Sequence, residues 1–367
     1  MENNNSNNKG NNKVLIIIVT CNSEKFIEKC LFSIANQNFK NYFLLVIDNN
    51  SSDSTVSTIK QYKNAESRIS SLNFKLICMK KNLGFSGAVN YGVFNYFSKK
   101  NKLTSDDFKY LVLINPDMIL DDDAINNLIF TFNLKRSDKT GKENSNTEDS
   151  INYISNYTGA AGGMILDYNS NEISHLGGKI KFNFITSHIK NNINADVEKI
   201  IKKENPCLTN EENLINADYV TGALFITEMN LFKKLGGFDT GYKPAYFEEL
   251  DYCLKLKRLN LDIVVNPLAF AWHFEGASSG KFSANFYYYY HKNRIRCAII
   301  NSSFINILKI FFKSEVLWLK SEADKNQILP LVKAYLINWI FCPYYMIIKI
   351  KNFIKLKKIK KNLKIKF

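Results

Sequence analysis

Five apolar or aromatic residues, Tyr110 to Ile114, run without interruption and stop at Asn115-Pro116-Asp117. An unbroken run of this kind suits a strand covered on both faces, which calls for helices on each side of a parallel sheet. Pro116 has no N–H to give a sheet ladder, so the strand ends there and Asp117 falls at its carboxyl edge. In open α/β sheets that edge is where ligands bind. An acid in that place either caps a helix starting near Asp121–Asp123 or holds a cation or a polar ligand.

Other runs repeat the pattern. Val14–Thr20, Tyr42–Ile47 and Phe74–Met79 read as strands, each followed by polar residues: Cys21-Asn22-Ser23, then Asp48-Asn49-Asn50-Ser51-Ser52-Asp53, then Lys81-Asn82-Leu83-Gly84. Helical spacing predicts helices over Glu24–Asn36, capped by Asn22 or Ser23, and over Ala88–Phe97. Four strands alternating with helices predict a nucleotide-binding α/β domain with a mostly parallel sheet. The loop Asn82–Gly87 can cradle phosphate on backbone N–H groups, although its spacing is neither the dinucleotide fingerprint nor the P-loop.

Further along, Val220–Phe225 and Ile263–Val265 read as strands, and Asn230–Leu235 as a helix stopped by Gly236-Gly237. Glu248, Glu249 and Asp251 open a helix expected to run from Leu250 to Leu259. There they suit the positive end of its dipole. The neighbouring Tyr246 and Phe247 also favour a chemical role, because desolvation raises a carboxyl pKa and makes a better general base. His273, between Trp272 and a Gly/Ser loop, is a candidate ligand.

Composition enters mainly through charge. The net +15 is concentrated: residues 301–367 hold fourteen lysines against three acids, which accounts for +11 of it. A nucleic-acid-binding protein spreads positive charge over its fold, so that class is disfavoured, and no nucleic-acid partner is expected. From Lys349 onward nine lysines interleave with Ile, Leu and Phe. That pattern suits a basic amphipathic helix on an anionic membrane surface. No run of eighteen apolar residues predicts a membrane span. Seven scattered cysteines without a CxxC pair predict reduced thiols in the cytoplasm. Four regions are therefore expected: a disordered Asn-rich tail (1–13), a catalytic body (14–300), a surface insertion within it (136–158), and a helical basic C-terminal region (301–367).

Nine segments in order carry a resemblance: IIVTCNS (17–23), VIDNNSSD (46–53), NLGFSGAVNYG (82–92), LINPD (113–117), VTGALF (220–225), GGFD (236–239), YFEELDYCLKLK (246–257), WHFEGAS (272–278) and YYYYHKNRIR (287–296). Together they resemble the family 2 glycosyltransferases, especially the branch that includes rhamnosyltransferases. The resemblance implies a GT-A fold, a nucleotide-diphosphate-sugar donor (dTDP-rhamnose first, UDP- or GDP-sugars as alternatives) and Mg2+ or Mn2+. It implies an inverting transfer to a saccharide or lipid-linked acceptor in cell-surface glycan synthesis, and the basic tail adds the expectation of a peripheral place on the inner face of the cell membrane.

Carried over by position, Thr20 and Asp48 would line the nucleoside pocket, and Asn22 and Asn50 would also bind substrate. Asn82, Gly84, Phe85, Asn90, Asn115, Glu248 and Trp272 would border the nucleotide or the sugar. Asp117 and His273 would hold the metal, and Glu249 or Asp251 would be the catalytic base. The NPD form leaves one carboxylate where the family often has two, so metal affinity would lean on the donor's phosphates. A nucleotidyltransferase is the alternative enzyme class, yet it opens with a Gly-rich basic loop after the first strand, and Cys21-Asn22-Ser23-Glu24 has no glycine.

Overall fold

The computed structural model describes residues 13–65, 73–97, 103–134, 157–189, 214–274 and 283–362. The expected Asn-rich tail, but for Lys13, and almost all of the expected insertion lie outside them, whereas Thr158 already belongs to the sheet.

The parallel half of the sheet is made of β1 (Val14–Thr20), β2 (Tyr42–Asp48), β3 (Phe74–Cys78) and β4 (Tyr110–Ile114). It continues through β5 (Met118–Leu120), β6 (Thr158–Asp167), β7 (Ile173–His175), β10 (Ile215–Asn216), β11 (Leu224–Glu228) and β12 (Asp262–His273). The spatial order is β10-β12-β6-β11-β4-β1-β2-β3, with β5 on β12 and β7 on β6. A hairpin of β8 (Gly178–Ile180) and β9 (Thr186–His188) stands apart.

The apolar runs are explained by what covers them. Alternate residues of each central strand enter different cores. Leu15, Ile17, Leu45, Leu111 and Leu113 pack with Val89, Val93, Phe232 and Leu256 on one face. Ile16, Ile18, Val46, Val112 and Ile114 pack with Ile27, Leu31, Ile59 and Leu128 on the other. A strand buried on both sides has no polar position to spare, hence no alternation.

Several elements differ from expectation. The first helix starts at Ile27 without a side-chain cap: the Ser23 carbonyl receives Phe26 N and Ile27 N, while the Ser23 hydroxyl faces Cys21 N. The helix after Asn82 begins at Gly84 and widens into a π-turn over Tyr91–Tyr96. Strand β11 starts at Leu224, not Val220, because Gly222 and Ala223 form a turn just before it. Strand β12 runs on to His273, far beyond the expected Val265, because it pairs with both β6 and β5. The six described cysteines are free thiols.

Up to residue 362 the C-terminal region is helical apart from short breaks near residues 302 and 323. Helix Ala284–Asn301 leads to a helical run over residues 304–321 and then to helix Lys325–Asn362. Arg294, fully buried, grips Glu315 with two hydrogen bonds of 2.8 and 2.6 Å. Tyr335 and Asn183 donate to the same carboxylate. This network ties the last helices to the body. Although sequence reading predicts no span, the final helix is long and apolar enough to cross a membrane by length and composition.

Candidate active site

The carboxyl edges of β1, β2 and β3 form one polar shelf. Asp48 ends β2 and accepts from Thr20 Oγ1 (3.1 Å), from Ser51 Oγ (2.5 Å) and from Ser51 N (3.1 Å). Asn22 and Asn50 both adopt positive φ, which their short side chains tolerate, and Asn22 Oδ1 accepts from Ser52 N at 2.8 Å. Asn49, passed over in the sequence, is the clamp of this shelf. Its Nδ2 donates to Asn82 Oδ1 at 2.8 Å and its Oδ1 accepts from Leu83 N at 2.8 Å. Asn82 Oδ1 in turn receives Gly84 N. Gly84 has φ +75°, and a Cβ there would stand 2.9 Å from the Pro244 carbonyl oxygen, so glycine is required twice over.

Asp117 follows β4, and the strand after it, β5, lies antiparallel to the end of β12 with Met118 opposite His273. Phe274 N donates to the Asp117 carbonyl at 3.1 Å. This pairing sets His273 Nε2 3.2 Å from Asp117 Oδ1. Asp117 is buried and its Oδ1 has no hydrogen-bond partner. An orphaned carboxylate oxygen facing an imidazole nitrogen fits a divalent cation. Among the described residues no third His, Cys, Asp or Glu completes a set, so phosphate oxygens would have to supply the remaining ligands.

The acids of the Glu248–Arg258 helix divide by the face they occupy. Tyr246 and Phe247 take successive positive φ values of 79° and 77° before it, an uncommon conformation that turns the helix start toward the sheet edge. Glu249 Oε1 accepts from Gly222 N at 2.9 Å. Ala223, next to Gly222, accepts from Asn115 N at the tip of β4. Glu249 is thereby brought to the edge that carries Asp117. Burial raises its carboxyl pKa, against the lowering effect of the backbone N–H groups it faces. Glu248 is buried with its Oε2 unpartnered, and burial first, then Glu249, drives its pKa well up.

Asp251 points elsewhere. It is fully buried, 2.6 Å from Lys255 and 2.7 Å from Asn301 Nδ2. Burial pushes its pKa up, but the lysine charge and these hydrogen bonds outweigh that and hold the carboxyl below its ordinary value. It does not line the cavity that Glu249 lines, and it forms an internal ion pair.

That cavity, of about 510 Å3, is bordered by Glu249 and His273 at the sheet edge, by Thr186, His188, Tyr219 and Tyr290 along its side, and by Trp318 and Gln327 of the C-terminal helices. Glu249 is the one carboxylate among the residues that line it. Its walls are largely aromatic, a surface on which sugar rings stack while hydroxyls and imidazoles fix orientation.

Two expected binding residues are otherwise engaged. Asn90 exchanges both amide groups with the Phe238 backbone, at 2.8 and 3.0 Å, and so pins the Gly236-Gly237 loop. Trp272 donates to Asn171 at 2.8 Å and packs on Phe270; strand alternation turns it away from His273. Phe85 does reach the site, since a Cβ on Gly222 would come within 3.0 Å of its ring and 2.8 Å of Glu249 Oε1. Gly222 is thus a site residue that sequence reading treated only as part of a strand.

Residues 15–139 match the family model described as Glycosyl transferase family 2. An uncharacterized glycosyltransferase of Haemophilus influenzae is 34% identical over 81 residues, which are 22% of this chain and 24% of that protein. The match therefore spans about a quarter of the relative's length. The crystal structure of GalNAc-T7 with UDP, GalNAc and Mn2+ superposes with a TM-score of 0.57 at 14% identity, over 87% of this chain and 52% of that one. The crystal structure of S. aureus TarS 1-349 with UDP-GlcNAc gives 0.50 at 14% identity, over 96% and 91%. The chain has the GT-A fold, with a C-terminal helical extension.

Proposed function

We propose that the protein is an inverting glycosyltransferase that moves a sugar from a nucleoside-diphosphate donor to an acceptor hydroxyl. The observation that carries this reading is that Glu249 and His273 line one cavity at the carboxyl edge of the sheet, with Asp117 standing 3.2 Å behind the imidazole. The family match over residues 15–139, the UDP and GalNAc held by GalNAc-T7 and the UDP-GlcNAc held by TarS support it.

The donor's nucleoside would lie on the shelf of Thr20, Asp48 and the Asn49–Asn82 clamp. Its diphosphate would lie toward Asp117 and His273, where a bound Mg2+ or Mn2+ would offset charge growing on the leaving group. Glu249, held by Gly222 N, accepts the acceptor hydroxyl's proton as that oxygen bonds to the anomeric carbon and the bond from that carbon to the diphosphate breaks. A single carboxylate lining the cavity suits one displacement without a covalent intermediate. The aromatic wall toward Trp318 suits a saccharide or lipid-linked acceptor in surface glycan synthesis. Among donors, dTDP-rhamnose is proposed first, from the resemblance of the motifs, with UDP- and GDP-sugars next.

The test is nucleotide release from a panel of dTDP-, UDP- and GDP-sugars, with Mg2+, Mn2+ or chelator. Metal-dependent turnover of one donor class is expected. No turnover of any donor, with no nucleotide-induced thermal stabilisation, would overturn the reading.

A further inference from the structure

Helix Lys325–Asn362 has two unlike faces. Leu331, Ala334, Asn338, Tyr345, Leu356 and Ile359 are buried and recur at intervals of three, four, seven and eleven residues, which keeps them along one side. They are joined to the body along their whole length: Asn338 Nδ2 donates to Lys292 O, Arg296 stands over the Tyr345 ring, Lys349 reaches Ile299 O, and Leu356 and Ile359 enter the main core. The other side carries Leu329, Leu336, Trp339, Ile340, Ile347 and Phe353, all exposed, with Trp339 at 84%. Phe304, Ile305 and Leu317 of the preceding helical run are exposed too.

So much exposed apolar surface marks a binding face. Three occupants are possible in kind: a bilayer crossed by the helix, a bilayer surface, and a second copy of the chain. The attached stripe from Leu331 to Ile359 runs roughly 42 Å along the body, longer than the ~30 Å hydrocarbon core of a membrane. Spanning would strip that whole stripe from its partners. A second copy would bring the same lysines against themselves, since Lys351, Lys357, Lys358 and Lys361 lie exposed on this helix and no acid follows Asp324. An anionic lipid surface complements both features at once, and Trp339 and Tyr344 have the ring-plus-polar-tip character suited to the headgroup level.

We propose that the outward face of the C-terminal helices docks on an anionic bilayer surface, the final helix lying in the membrane plane with its lysines over the headgroups. The proposal goes beyond the transferase reading and stands apart from it, because lipid docking needs no donor. Truncation at residue 349 is a poor test, since it removes Leu356 and Ile359 from the core.

The experiment floats the full-length protein with phosphatidylcholine vesicles, with and without phosphatidylglycerol, and compares a W339E/I340E variant. Both side chains are exposed, so its thermal unfolding should match wild type and report that it folds. Wild type is expected to bind the anionic vesicles, to bind less as ionic strength rises, and to bind neutral vesicles poorly. The variant should lose at least ~10-fold in binding. Equal flotation of variant and wild type, equal binding to neutral vesicles, or wild-type self-association without vesicle binding would each overturn the proposal. None of these outcomes bears on donor turnover, so the transferase reading is judged separately.

Discussion

His273 Nε2 lies 3.2 Å from Asp117 Oδ1, and the contact is made by pairing strand β5, which follows Asp117, against the end of strand β12. Two residues distant in sequence are thus fixed by backbone hydrogen bonds before any ligand arrives. A cation held there would bind with little rearrangement of protein.

From that geometry, Asp117→Ala should weaken nucleotide-sugar affinity about 10–100-fold in the presence of Mg2+ or Mn2+, since even outer-shell partners of metals cost that much. In chelator the variant and wild type should bind alike. Titration calorimetry in both conditions measures it, and equal affinities with metal present would remove Asp117 from the site.

Glu249→Gln retains an oxygen to accept from Gly222 N but cannot take a proton. Transfer should fall about 10²–10⁴-fold, with donor affinity unchanged. Near-normal single-turnover rates would exclude Glu249 as the base.

The pH profile follows from the direction of the Glu249 shift. Only the deprotonated carboxylate accepts a proton, and burial raises the pKa at which it forms. Activity should therefore be lost, as pH falls, at a higher pH than an ordinary glutamate near 4.3 would give. An acid limb at or below that ordinary range would contradict a desolvated base.

Asp251→Ala should act on stability instead. It strands Lys255 beside a buried vacancy, a loss on the order of 3–5 kcal/mol. In the wild type the depressed Asp251 pKa contributes stability that is present above the ordinary Asp value and lost as pH falls through the lowered one. A folded Asp251→Ala protein should keep its nucleotide affinity. Unchanged thermal stability together with lost turnover would reverse the roles given to Asp251 and Glu249.

Gly222→Ala places a Cβ 2.8 Å from Glu249 Oε1 and 3.0 Å from the Phe85 ring. Displacing the Glu249 carboxylate by a fraction of an ångström should cost up to ~100-fold in turnover while nucleotide binding persists. Steady-state kinetics beside a binding isotherm separate the two effects.

The amino-acid order alone determined the half of the molecule whose signals are local. Tyr110–Ile114 and Val14–Thr20 are strands with the bounds read from their apolar runs, because a strand covered on both faces leaves no polar position to blur its ends. Pro116 likewise fixed where Asp117 would stand. Tertiary structure decided the rest. Glu249 and Asp251 are two apart on one helix and so point about 160° apart, and only the packing of that helix tells which faces the cavity and which meets Lys255. The amides of Asn90 and Asn49 look alike in sequence to any binding residue, yet the fold spends them on Phe238 and Asn82. His273 gains its neighbour through strand pairing, which no window of sequence contains. Local chemistry names the candidates, and long-range packing, by setting direction and distance, chooses among them.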